Sequence, residues 1–157
     1  MEVAIRKGII DDLPQVYALI QELADFERAP QEVTNTLEDM ERDGFGENPI
    51  FKFFVAESAD GIMGIALYYI AYSTWKGRML FLEDLVVTER MRRAGIGRKL
   101  FRAVAHEAKV LGAKRFKWQV LEWNEPAIAF YKKIGANLDG EWINCNMNEE
   151  QIQQFDA

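Results

Sequence analysis

The chain has a single cysteine, Cys145, a single histidine, His106, only four prolines, and no apolar run long enough to cross a bilayer. One cysteine cannot close a disulfide within the chain, which points to a reducing cytoplasm as the setting. With one histidine and one cysteine, a zinc site would depend on several carboxylates, so we read no metal. The longest apolar run, residues 62–72, falls far short of the roughly 20 residues a membrane-spanning helix needs. The start, MEVAIRKGIIDD, meets acidic residues before an apolar signal region can develop. No repeat, low-complexity tract or Pro/Gly/Ser linker interrupts the sequence, so residues 1–157 read as one domain.

What is present is a globular composition, 49% hydrophobic and 28% charged, with enough length to bury a core. Nineteen basic against 25 acidic residues give a formal net charge of -6. That balance argues against nucleic acid as a partner, which needs a broad positive field. It suits a cationic small molecule, and it also serves solubility alone. One segment runs against it: residues 90–102 hold six Lys or Arg and no Asp or Glu, leaving 13 basic groups against 25 acidic ones elsewhere.

Periodicity places that segment between a strand and a helix. Val3–Arg6 reads as a first strand, and Asp11 or Asp12 as the cap of a helix with Leu13, Val16, Tyr17, Leu19, Ile20 and Leu23 on one face. Thr34 or Asn35 caps a short helix ending in the turn-rich DGFGENP at 43–49. Residues 51–57, 61–72 and 78–88 read as strands. A helix follows over about 95–111, with Gly112 as its stop, then a strand over 114–121. Asn124 or Glu125 caps a further helix that ends before Gly135. A last strand over about 138–147 and a helical turn capped by Asn148 complete the order. The fold class is α/β, a mixed sheet with helices on its faces.

Within the basic segment, a dinucleotide fingerprint lacks its third glycine, because Leu100 stands there, and no P-loop pattern is present. What remains is R-x-x-G-x-G over Arg92–Gly97. Gly95 and Gly97 permit positive φ and close backbone approach, so several N–H groups can converge on one anion. The helix dipole and Arg92, Arg93 and Arg98 add to that field. A pyrophosphate fits, and so does a solvated basic helix start.

FLEDLVVTERMRRAGIGRKL resembles the strand, pyrophosphate loop and helix of the GCN5-related N-acetyltransferases (GNAT), which bind acetyl-CoA. DGFGENP, YSTWKGR, LEWNEPAIAFYKKIGA and the later EW resemble one branch, which contains the spermidine/spermine and thialysine acetyltransferases. The resemblance runs from about Leu19 to Trp142. It implies a mostly antiparallel central sheet flanked by about four helices, with a splayed strand pair admitting the pantetheine arm. It gives the backbone of Leu85, Val86 and Val87 to that arm. Arg92, Arg93, Ala94, Gly95, Ile96, Gly97 and Arg98 take the pyrophosphate, and Asn124, Glu125, Pro126 and Ala127 border the arm.

Tyr131 matches the tyrosine the family places beside the thioester sulfur, although its spacing with Ala127, Phe130 and Ile134 would suit a core residue equally. A phenol of pKa ~10 keeps its proton at neutral pH and can give it to a departing thiolate. Glu83 and Asp84 are adjacent on a strand, which places their side chains on opposite faces. The family reading gives Glu83 the amine and its proton. Phe26, Glu27, Trp75, Asp84 and Glu141 complete the candidate substrate contacts, the tryptophan through cation–π attraction. His106 lies on the polar side of its helix as a bystander. The implied activity is acetyl transfer from acetyl-CoA directly to a small cationic amine, with a homodimer expected from the branch. A protein-amine acetyltransferase and a non-catalytic acetyl-CoA sensor are the alternatives. The polyamine enzyme of the branch carries an acidic residue two positions before the tryptophan; this chain has Ser73, as the thialysine enzyme does.

Overall fold

Gly61–Ser73 and Gly77–Val87 are rich in the branched and aromatic residues that suit a pleated, half-buried surface. They form the two longest strands of the computed structural model, which describes residues 2–155. The described residues fall into two units, 2–119 and 120–155. In the first, strands β1 (Ala4–Lys7), β2 (Lys52–Ser58), β3 (Gly61–Ser73), β4 (Gly77–Val87) and β5 (Arg115–Lys117) lie side by side in chain order. All pairs are antiparallel except β4 with β5.

Each face of this sheet is covered by helix. On one, α3 (Ile96–Val110) lays Ile96, Leu100, Val104 and Ala108 over Phe54, Tyr68, Leu80 and Leu82. These positions recur at three and four, the spacing of a single apolar stripe. On the other, α1 (Leu13–Phe26) and α2 (Leu37–Phe45) cover Phe53, Val55, Ile65 and Val86 with Leu13, Val16, Leu19 and Met40. In the second unit, α4 (Glu125–Lys133) starts at Asn124, whose carboxamide oxygen accepts from Ala127 N–H, and stops before Gly135 at φ 86°. A reciprocal capping box between Asn148 and Gln151 begins α5 (Glu149–Gln154).

Four local expectations are revised. Asp12 precedes α1 but does not cap it with its side chain; its buried carboxylate accepts from Ile9 N–H at 2.8 Å and from both terminal nitrogens of Arg6. Arg6 reaches on to Glu57, so three charges tie β1, β2 and the helix start together. The cap of α2 is Thr36, one residue past the expected pair, and its hydroxyl accepts from Asp39 N–H. The strand expected over 114–121 pairs only at Arg115–Lys117. No strand forms over 138–147: Leu138, Trp142, Ile143 and Met147 are exposed. Alternation reports where apolar residues recur, whereas a strand also needs a ladder partner, and none of the described residues pairs with this segment.

Candidate active site

The register of β4 against β3 places most of the functional groups. From Gly64↔Val87 to Leu67↔Asp84 the ladder is regular; it resumes at Tyr68↔Leu82, so Glu83 is an extra residue opposite none. Such a bulge reverses the faces that follow it. Leu82 belongs to the core under α3, whereas Asp84, two residues on, lines a pocket under α1 and α2. Glu83 lies on that same side, where the Tyr69 hydroxyl donates to it at 3.2 Å. Tyr69 is raised in pKa by burial first and then by Glu83 and Asp84 together. The regular alternation expected for the two carboxylates is thus broken, and they share a face.

The pocket measures about 230 Å³ and is lined by Tyr17, Ile20, Met40, Phe51 and Leu67, with Asp84 the one carboxyl group in its lining. Burial, then the charges of Glu83 and Glu27, push Asp84 up to about 7. Burial also raises Glu27, at the C-terminal end of α1. Asp84 in the mostly apolar cavity, within electrostatic reach of Glu83 and Glu27, is thus a strongly perturbed acid of the kind that marks a candidate functional site.

The ladder also decides which backbone groups of β4 are free of β3. Thr88 N–H donates to Met63 O at 2.9 Å, which makes 88, 86 and 84 the positions bonded to β3. Leu85 and Val87 therefore turn their N–H and C=O to the opposite edge, and Val86 does not. Because β5 accompanies β4 only from Met79 to Phe81, no strand of the described residues covers that edge over 82–87. Pairing between β4 and β5 ends there because β5 itself ends at Lys117.

That edge leads into the basic turn. Arg92 donates from Nε to Val87 O at 3.1 Å, and its guanidinium carbon stands 5.0 Å from the Phe26 ring centroid. Arg93 has φ 69°, a left-handed conformation that is costly for a side chain-bearing residue, and Gly95 follows at φ 80°. Helix α3 starts directly after Gly95 with no side-chain cap, so its first N–H groups point outward from a concave turn. A Cβ at Gly95 would meet nothing within 4 Å; one at Gly97 would meet only Val87 Cγ2, at 3.8 Å. Packing within the protein therefore does not require these glycines, and the space beside them is open. The ion pairs of the described residues use Arg6, Arg42 and Arg90, leaving Arg93 and Arg98 exposed beside the turn.

The first unit thus brings together Phe26, Glu27, Glu83, Asp84, Leu85, Val87 and the Arg92–Arg98 turn. Trp75 is not among them: it is 91% exposed in the turn between β3 and β4. At about 3.3 Å per residue, β4 alone carries Glu83 some 20 Å from that turn. In the second unit Asn124, Glu125, Pro126 and Ala127 form the start of α4. Tyr131 is buried, with its ring against Phe130 at 5.4 Å, and Glu141 is exposed in irregular chain. His106 is exposed. Tyr17, Tyr69 and the apolar part of the pocket lining were not singled out as site residues from the sequence, where they carry no signal beyond apolar periodicity. Among the described residues no group of three or more His, Cys, Asp or Glu is placed to hold a metal ion, and no helix is long and apolar enough to cross a membrane.

An open β4 edge leading into a glycine turn and an uncapped helix fits an acyl-transfer family. The profile of the acetyltransferase (GNAT) family matches residues 13–136, and the chain belongs to that family. Among its relatives, thialysine N-epsilon-acetyltransferase of Mus musculus is 41% identical over 96% of this chain and 95% of its own. Spermidine/spermine N(1)-acetyltransferase-like protein 1 of Homo sapiens is 33% identical over 94% of this chain and 23% of its own length. An integron cassette protein of V. cholerae shares the fold, with a TM-score of 0.79 at 24% identity over 98% of this chain and 97% of that one.

The raised pKa of Asp84 has a stability consequence. Between about 4 and 7 the folded carboxyl holds a proton that the unfolded one has lost, so its contribution to stability falls as pH rises through that window. We expect Asp84→Asn to gain thermal stability over the wild type as pH rises from 4 to 8, with the difference level above that. Melting curves across the range check this; a difference independent of pH removes the burial argument.

Proposed function

We propose that this protein moves an acetyl group from acetyl-CoA directly to the primary amine of a small cationic substrate. The observation that carries this reading is the continuity of β4's open edge with the concave basic turn. An extended, amide-bearing arm that ends in a pyrophosphate matches both in order, and coenzyme A has that chemistry. The N–H and C=O of Leu85 and the N–H of Val87 suit the arm as an added strand. The turn from Arg92 to Arg98 suits the pyrophosphate. Acetyl-CoA supplies an activated thioester when bound.

The chain's own groups then manage protons. An alkylammonium of pKa ~10.4 must lose one before it attacks, which costs about 4 kcal/mol near pH 7.4. Glu27, Glu83 and Asp84 hold the cation, and the Glu83–Asp84 pair takes the proton, directly or through water. The family resemblance assigns the second transfer to the Tyr131 hydroxyl, at the cofactor's sulfur. Direct transfer suits a chain whose only thiol, Cys145, is exposed in irregular structure outside these groups. The acid-lined pocket favours an enzyme over a sensor, which needs no amine site. A volume of about 230 Å³, below the roughly 300–1,000 Å³ of drug-sized ligands, favours a small acceptor over a protein. The branch resemblance supports a homodimer, and Trp142 and Ile143, 78% and 88% exposed in the single chain, suit an interface between copies. The acidic balance disfavours a nucleic-acid partner, and the lone cysteine suits a reducing cytoplasm. An amine panel with acetyl-CoA, following free thiol, tests the activity.

A Cβ at Gly97 meets only Val87 Cγ2, at 3.8 Å, so a valine there starts in open space and crowds the turn proposed for the pyrophosphate. Acetyl-CoA affinity should fall about tenfold or more; unchanged binding by calorimetry in a folded variant rules out the pyrophosphate role. Tyr131→Phe keeps the ring and removes the proton, so kcat should fall more than cofactor affinity. If kcat is unchanged with chemistry rate-limiting, Tyr131 serves packing alone. For the acceptor, Ser73 in place of an acidic residue and the small pocket both disfavour a long polycation, which gains from separated carboxylates. Thialysine should therefore give a higher kcat/KM than spermine at fixed ionic strength. A clear preference for spermine would sink that choice of acceptor.

A further inference from the structure

Helix α1 touches the cofactor turn at two points one helical turn apart. The short 3-10 turn Glu89–Met91 leads from β4 into Arg92, and its own N-cap residue, Thr88, does not cap it with its side chain. The cap comes from 67 residues away: Glu22 accepts Glu89 N–H at 2.8 Å and the Thr88 hydroxyl at 3.2 Å. Four residues on along the same face of α1, Phe26 lies under the Arg92 guanidinium. Arg90, between them, reaches Met63 Sδ at 3.5 Å and Asp60 at 3.9 Å. The segment that delivers the chain to the left-handed Arg93 is thus held at its start, middle and end.

A carboxylate beside a site for a pyrophosphate is electrostatically adverse, so its presence calls for a compensating role. We propose that Glu22 is a positioning residue for acetyl-CoA. By capping the 88–91 turn from α1, it keeps the Arg92–Gly97 backbone in the conformation that receives the pyrophosphate. It acts through that backbone and touches no reacting atom. This rests on the cofactor reading above. It adds that α1, whose C-terminal end carries Glu27 toward Asp84, aligns the cofactor turn with the amine pocket.

The test compares Glu22→Ala, Glu22→Gln, Thr88→Val and Gly97→Val in the full chain, by acetyl-CoA calorimetry and steady-state kinetics, with melting curves to establish folding. Loss of a charged cap should raise the acetyl-CoA Kd of Glu22→Ala about tenfold, while kcat at saturation and the amine KM hold. Glu22→Gln, which keeps an acceptor oxygen, should stay within about twofold of wild type, and Thr88→Val should fall between. Thr88→Val and Glu22→Gln decide the matter if the alanine variant does not fold. Equal tightening by alanine and glutamine would show a purely electrostatic group and overturn the proposal. Unchanged affinity in Glu22→Ala while Gly97→Val loses binding overturns it and leaves the pyrophosphate reading intact. Unchanged affinity in both removes the two together.

Discussion

One surplus residue in β4, Glu83, governs the layout of the acidic site. Without the bulge, Asp84 would share a face with Leu82 and face the core under α3. With it, Asp84 enters the pocket under α1 and α2, and Glu83 joins it beside Tyr69. The conformation is local, but its consequence is electrical. Burial against the apolar lining, followed by the charges of Glu83 on the same face and of Glu27, raises Asp84, which holds its proton to about 7. A bulge is thus the means by which an ordinary strand places a titrating acid in a cavity.

The same strand carries a second constraint beyond the bulge, set by the parity of its hydrogen bonds. Leu85 and Val87 face the edge that β5 leaves open, and Val86 puts its side chain in the core and its backbone on β3. The direction of that open edge runs straight into Arg92, Arg93 and Gly95. Strain at Arg93 is tolerated because Arg92 on Val87 O and Phe26, with Glu22 on Glu89 N–H, over-determine the path. The site proposed for the cofactor is therefore backbone geometry held by side chains, and its basic, glycine-bearing composition alone does not reveal what holds it.

Legibility in the sequence followed the range of each interaction. Helices α1, α3 and α4 were readable because their stripes, stops and caps are encoded within a few residues, as in Asn124 and Gly112. Thr36 was missed by one or two places because Thr34 and Asn35 offer the same chemistry locally, and only the α1–α2 path chooses among them. The strand expected over 138–147 carried alternation without a partner. Non-local facts were invisible. The bulge is a count of residues against a distant strand, and Glu22's cap joins positions 67 apart. The family resemblance supplied names for Glu83 and Arg92, but not the shared face of the carboxyl pair.

The final relation is between the two charge environments. Outside residues 90–102 the chain is strongly acidic, which draws a cationic amine, while the basic turn alone offers an anion a favourable field. On the proposed reading, separation by sign keeps each ligand to its own site, yet the amine must still part with a proton. Passing it from a group of pKa ~10.4 to an ordinary carboxylate near 3.9 is uphill by about 9 kcal/mol. Passing it to Asp84 near 7 is uphill by about 5 kcal/mol. Additional ionised carboxylates would bind the ammonium more tightly and hold its proton more firmly too. On the proposed reading, a pocket acid raised to about 7, with further carboxyl groups near it, keeps attraction for the cation without fixing it in the form that cannot react.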